Sequence, residues 1–236
     1  MSKYLFQVLA CTLILHACNN NSESLNLSTI MDKNIIECGD YQFTHSLNLK
    51  KEAVRAERDT LSLTAGEQTD LFCDPKGVAT NTSAPLLFST VDNTKPFTFT
   101  VKVKPLFTNT GTYSAGAILA FVDKSHWQKL CFEQDEEGNH RIVTVRTVET
   151  SDDNNHESVD SASVYLRMSS DTKVIGNYYS EDGKNWHLVR IYKNEYPAEF
   201  YLSISSQSPK DKAHTCLFSD IILEYRPVID FRKGNM

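Results

Sequence analysis

The chain has 236 residues, 40% of them apolar, and carries 24 Lys+Arg against 30 Asp+Glu for a formal net charge of −6. An acidic balance argues against nucleic acid, which needs a basic footprint, and against electrostatic attachment to anionic lipid. The length suits one sizeable β domain with a real apolar core.

Residues 1–17 begin with Lys3 and continue as an apolar stretch from Tyr4 to Ala17. The stretch is too short to cross a bilayer, which needs about 20 residues, and it reads as a secretory signal. Leu15-His16-Ala17-Cys18 closes it, and a polar run from Asn19 to Glu23 follows. This arrangement resembles a bacterial lipobox: Ala17 stands at the small position before the cut and Leu15 at the apolar position, with His16 an unusual occupant between them. The resemblance implies lipidation at Cys18 and membrane contact through the lipid anchor alone. The expected location is the bacterial cell envelope, with the outer membrane preferred because Asn19 is not the Asp that often retains lipoproteins at the inner membrane. Residues 18–34, rich in Asn and Ser, read as the tether.

From residue 35 to 228 the pattern is that of one domain. Tyr41, Phe43, Leu47 and Leu49 suggest an opening strand pair, and residues 51–58 are a candidate helical turn. Residues 59–64 alternate. Residues 97–104 form a period-2 strand with Phe97, Phe99, Val101 and Val103 on one face, bracketed by Pro96 and Pro105. Further strands are read at 86–88, 114–122, 126–133, 141–150, 164–168, 174–179, 187–192, 200–205 and 216–225. Glu137-Gly138-Asn139 and Asp182-Gly183-Lys184 supply hairpin turns. Residues 151–158 are polar enough to read as an exposed loop, and 229–236 as a C-terminal tail. Many short strands at roughly 10-residue spacing give an all-β, antiparallel sandwich.

Cys38, Cys73, Cys131 and Cys216 remain beyond the signal and the anchor. No Cys/His spacing suits a metal, and no Gly-rich phosphate loop, HExxH or EF-hand pattern occurs, so neither metal nor cofactor is expected. Cys131 and Cys216 lie in apolar runs and read as buried thiols, while Cys38 with Cys73 is the disulfide to test.

Ala115-Gly116-Ala117-Ile118-Leu119, Trp127 to Glu133, Tyr179 to Trp186, Phe200 to Ser208 and Leu217 to Ile221 together resemble one family. It is the regulation-of-enolase type of concanavalin A-like domain, domain of unknown function 1349. Two departures stand out: Cys131 where a small residue is more common, and Ala120-Phe121 where a basic residue is. The resemblance implies a jelly roll of two packed sheets, one often concave, in a superfamily whose relatives bind or cleave glycans. Fold analogy does not carry function by itself.

Glu133, Asp135 and Glu137 have the E-x-D-x-E spacing found in retaining jelly-roll glycosidases. Retaining chemistry needs two carboxyls about 5–5.5 Å apart, and an i, i+4 strand pair starts about 13 Å apart at Cα. The Gly138-Asn139 turn follows at once, so an acidic, solvated hairpin is the expected reading, with nothing to raise an acid's pKa. Ser180 to Trp186 is similar to the aspartate box of sialidases but occurs once, and reads as a hairpin with Trp186 packed back on the sheet.

Trp127, Lys129 and Glu133 share one strand face, an aromatic beside polar groups as a sugar site requires. Tyr113 and Tyr179 are candidate contributors from neighbouring strands. The competing reading puts Trp127 in the core. Three functions follow: a surface-anchored, non-catalytic binder of a glycan or polysaccharide; a structural module with a protein partner in the envelope; and a glycoside hydrolase using Glu133 and Glu137. The first is favoured, the third least.

Overall fold

The computed structural model describes residues 31–236, so the signal and the Cys18 anchor lie outside the described residues. One sheet, A, holds β1 (Asp32–Cys38), β2 (Tyr41–Leu47), β7 (Leu86–Asp92), β16 (Glu199–Gln207), β9 (Ala115–Asp123), β10 (His126–Gln134), β11 (His140–Val148) and β12 (Thr150–Ser158), in that order. The facing sheet, B, runs β15 (His187–Lys193), β14 (Val174–Ser180), β13 (Val164–Ser170), β8 (Phe97–Pro105), β17 (Ala213–Glu224), β4 (Thr60–Gly66) and β3 (Val54–Glu57). A short hairpin of β5 (Leu71–Cys73) and β6 (Thr80–Thr82) stands apart from both. The strand pairs within the sheets are antiparallel, for example Trp127 opposite Phe121 on one side and Thr147 on the other.

The alternation read along β8 sends Phe97, Phe99, Val101 and Val103 into the space between the sheets. There they meet Ile118 and Ala120 of β9, Leu130 and Phe132 of β10, and Leu202 and Ile204 of β16. Burial of this interior is the main driving force for the sandwich. Gly116 lies on the same inner face. A Cβ there would overlap Cys216 Sγ and come within 2.6 Å of Val103 Cγ1, so the Ala-Gly-Ala run lets the two sheets approach at this point.

Sheet A has a second apolar cluster on its outer face. Phe88, Ala117, Leu119, Phe121, Trp127, Cys131, Val143 and Val145 pack there with Leu71 and Cys73 of the β5–β6 hairpin. The hairpin is pinned by the Cys73 N–H, which donates to Ser151 Oγ at 2.9 Å. The outer face of sheet B is crossed by the C-terminal segment. Thr98 Oγ1 donates to the Arg226 carbonyl, Tyr178 OH to that of Phe231 and Arg167 Nη1 to that of Gly234, at 2.7, 2.8 and 2.7 Å. The Arg167 guanidinium also stacks 3.6 Å from the Trp186 ring, which seats Trp186 on the sheet as expected from the Asp182-Gly183 turn.

Four expectations change. Residues 151–158 are not a loop but most of β12, an edge strand. Its polarity reflects one unpaired edge and solvent access, while its backbone completes the ladder with β11. Residues 51–58 form a single 3-10 turn, Lys51–Ala53, and then β3. The first strand begins at Asp32, inside the stretch read as tether. Cys38 and Cys73 are unpaired, because Cys38 belongs to the inter-sheet core and Cys73 to the cluster on the outer face.

Candidate functional site

The outer face of β10, β11 and β12 carries a cleft of about 500 Å³. Its floor is Lys129 and Glu133 of β10 with Val143 and Val145 of β11. Asp153 and Asn155 of β12 form one wall, and Asp70, Phe72 and Asn81 from the β5–β6 region form another. Tyr113, Glu136 and Lys210 stand at the rim. Strand register explains the grouping. Lys129, Val145 and Asp153 lie in one row across three strands, and Cys131, Val143 and Asn155 in the next.

Lys129 is 3% exposed. Its Nζ donates to Gln207 Oε1 at 2.8 Å and lies 3.5 Å from Asp70 Oδ1. Burial alone would push this ammonium down, but Asp70, with Cys131, Glu133 and Asp153, outweighs it and raises the pKa. Lys129 therefore stays charged in the floor of the cleft. Gln207 is fully buried, and its Nε2 has no partner among the described residues.

Glu133 behaves differently. Burial pushes its carboxyl from an ordinary 4.5 up to about 8; Lys129 pulls it down, and Asp70, Asp153 and Asp135 push it further up. At neutral pH it is mostly a neutral acid, able to donate a hydrogen bond. Glu133 thus differs from the solvated hairpin expected of the E-x-D-x-E run, because it lies in the cleft floor and not in the turn. Asp153 is also raised, by burial first, with Lys129 opposing.

Tyr113 reaches the rim because its backbone takes the left-handed region, φ 61°, and its N–H donates to the Gln134 carbonyl at 2.7 Å. That conformation is costly for a non-glycine residue and leaves the ring 37% exposed at the mouth.

Of the residues expected to bind, Lys129, Glu133 and Tyr113 meet in the cleft. Trp127 does not form a platform. It is fully buried, its Nε1 donates to the Lys124 carbonyl at 3.2 Å, and the Lys129 ammonium lies 5.9 Å from its ring. The hairpin and neighbouring segments cover the outer face over Trp127, so the packing reading prevails there. Tyr179 lies in the other sheet, facing the interior, with its hydroxyl on Glu157 and its ring stacked 4.8 Å from His187.

Glu137 is exposed in the turn and does not line the cleft, so no Glu133/Glu137 pair is assembled. Asp135 is buried, not solvated. It accepts the N–H groups of Glu137 and Asn139 at 3.0 and 2.8 Å and pairs with Arg141 Nη2 at 2.9 Å, so it organises the turn. Burial works against that charge, but Arg141 and Asn139 hold its pKa low. Asp152 and Asp153 point to opposite faces, Asp152 toward Arg190 at 3.5 Å, and so do not converge on a cation. Among the described residues no group of three His, Cys, Asp or Glu side chains gathers as metal ligands.

Asp70, Phe72, Asn81 and Asn155 carry no local pattern that marks them as binding residues in the sequence.

The sandwich is shared with several solved structures. A protein of unknown function from Saccharomyces cerevisiae matches at TM-score 0.69 and 23% identity, over 76% of this chain and 95% of that one. A GH43 protein from Bacillus licheniformis matches at TM-score 0.59 and 16% identity, over 84% of this chain but 39% of that one. A bifunctional GH43-CE protein from Bacteroides eggerthii matches at TM-score 0.59 and 18% identity, over 78% of this chain and 23% of that one. These structural matches show a common fold, an antiparallel β-sandwich of the jelly-roll type. No curated protein matches the chain. Residues 47–225 match the family described as protein of unknown function (DUF1349), and with most of its length inside that match the chain belongs to this family.

Proposed function

We propose that the protein is an exported, lipid-anchored carbohydrate-binding protein whose cleft on the outer face of β10–β12 holds a unit of a glycan. The observation that carries this reading is the make-up of the cleft. Tyr113 at the rim and Phe72 in one wall bring aromatic rings to it, while Lys129, Glu133, Asp153 and Asn155 bring polar groups around about 500 Å³. A sugar is recognised by that combination, ring stacking on its apolar face and directed hydrogen bonds to its hydroxyls. A fold shared with GH43 proteins supports the same reading. Leu15 to Cys18 supports delivery to the envelope, and the outer membrane is the proposed destination.

A second reading, glycoside hydrolysis, is favoured by one observation. Glu133 keeps its proton near neutral pH in a cleft shared with Asp70 and Asp153, as a general acid requires. Glu137 has no part in it.

The test is a glycan array with polysaccharide pull-down, using wild type, Tyr113→Ala and Glu133→Gln, with released reducing ends assayed in parallel. Binding that Tyr113→Ala weakens, with no sugar released, supports the binding protein. Release abolished by Glu133→Gln establishes the hydrolase. No binding to any glycan overturns both and leaves an envelope protein partner as the object of search.

A further inference from the structure

Carboxyl groups reach the cleft from separate parts of the chain: Asp70 ahead of β5, Glu133 in β10, Glu136 in the β10–β11 turn and Asp153 in β12. Only two ammonium groups answer them. Lys210 stands exposed at the rim, and Lys129 is already engaged by Asp70 and Gln207 in the floor. Glu133 and Asp153 face the cleft with no ion pair among the described residues. Carboxyl groups so placed complement a positive charge on a ligand.

A divalent metal does not fit there, because among the described residues no three ligand side chains converge and the Lys129 ammonium occupies the carboxylate of Asp70. A positive group on an organic ligand does fit. The remaining donors suit the rest of a sugar. Lys129 in the floor has an N–H beyond its bonds to Asp70 and Gln207, and the side-chain amide of Asn155 lines one wall.

We infer that the cleft takes a sugar unit bearing a free ammonium group, an amino sugar, in preference to a neutral, N-acetylated or uronic one. The inference rests on the glycan-binding reading and deepens it. The ammonium sits between Glu133 and Asp153, and hydroxyl oxygens accept from Lys129 and Asn155. A uronic carboxylate would instead meet Asp153 and Glu136.

Binding carries a proton signature. The titratable and charged groups around Glu133 are Asp70, Lys129, Cys131, Asp135, Glu136, Asp153, Tyr113 and Lys210, with Arg141 tied to Asp135. Their balance, with burial, keeps Glu133 protonated up to about pH 8. An arriving ammonium favours the carboxylate, so Glu133 gives up its proton to solvent as the ligand enters, and affinity rises with pH only while the ligand's own amine stays protonated.

The experiment is isothermal titration of the purified protein at pH 6.5 in two buffers of different ionisation enthalpy. The ligands are a glucosamine oligosaccharide, its fully N-acetylated counterpart, a galacturonic oligosaccharide and oligolysine. The expected result is tighter binding of the glucosamine oligosaccharide by at least about tenfold, the scale of a charge-assisted hydrogen bond. A net release of protons, that of Glu133 less any uptake by the ligand's amine, should accompany binding. Glu133→Gln should lose the proton release, and Asp153→Asn should narrow the preference. Equal or better binding of the acetylated or uronic ligand without proton release overturns the inference and leaves glycan binding standing. Oligolysine binding in place of the amino sugar overturns it as well. Failure of every saccharide to bind overturns the glycan reading together with it.

Discussion

Glu133→Gln tests the electrostatics of the cleft without any ligand. The folded protein holds the Glu133 proton up to about pH 8, whereas an ordinary glutamate releases it at 4.5. The folded state thus binds this proton more tightly than the unfolded chain. Stability is unaffected below 4.5, falls as pH rises from 4.5 to about 8, and is level again above that. At about 1.4 kcal/mol for each pH unit the full loss approaches 5 kcal/mol, and screening of a half-buried group brings the expected figure to about 2 kcal/mol. Glutamine copies the protonated acid in shape and charge. The variant should therefore match wild type at pH 4.5 and exceed it by about 2 kcal/mol at pH 8.5. Urea unfolding at half-unit steps across that window measures the difference. A wild-type-minus-variant difference that is constant with pH would show that Glu133 titrates normally and would refute the account of the cleft.

Gly116→Ala should be among the most damaging single changes, costing about 3 kcal/mol or more, because its Cβ meets Cys216 and Val103 of the facing sheet; a thermal melt of the variant shows the loss. Asp135→Ala removes the acceptor for two backbone N–H groups and for Arg141, and should cost about 2–4 kcal/mol in denaturant unfolding. The four described cysteines should all alkylate in denaturant without prior reduction, and dithiothreitol should leave the melting temperature unchanged.

Much of the architecture was written in local pattern. Period-2 runs such as Phe97 to Lys104 name both the strand and its inner face, and turn glycines mark the hairpins. β12 escaped because an edge strand needs no apolar alternation. Its backbone bonds hold it against β11, so Ser151 to Ser158 read as solvated loop. The face of Trp127 was legible but its burial was not. The cover comes from β5 and β6, three-residue strands with little pattern of their own, some 50 residues earlier in the chain. The same distance hid the site. Lys129 and Glu133 could be placed on one strand, but Asp70 and Asp153 reach them only through tertiary folding. The raised pKa of Glu133 is a property of that assembly and belongs to no single stretch.

The order of strands in sheet A sets a direction. β1, where the described chain enters the sheet, and β10, which floors the cleft, stand five strand spacings apart, or about 24 Å. A molecule held by the residues ahead of β1 would keep that flank toward its support and present the cleft on the far one. The cleft ends at the edge strand β12, whose Asp152, Asp153 and Glu157 discourage another strand from docking on its open edge. A long polymer gripped at one unit could run out past that edge without meeting protein, so such a site would suit capture from the middle of a chain as well as from its end.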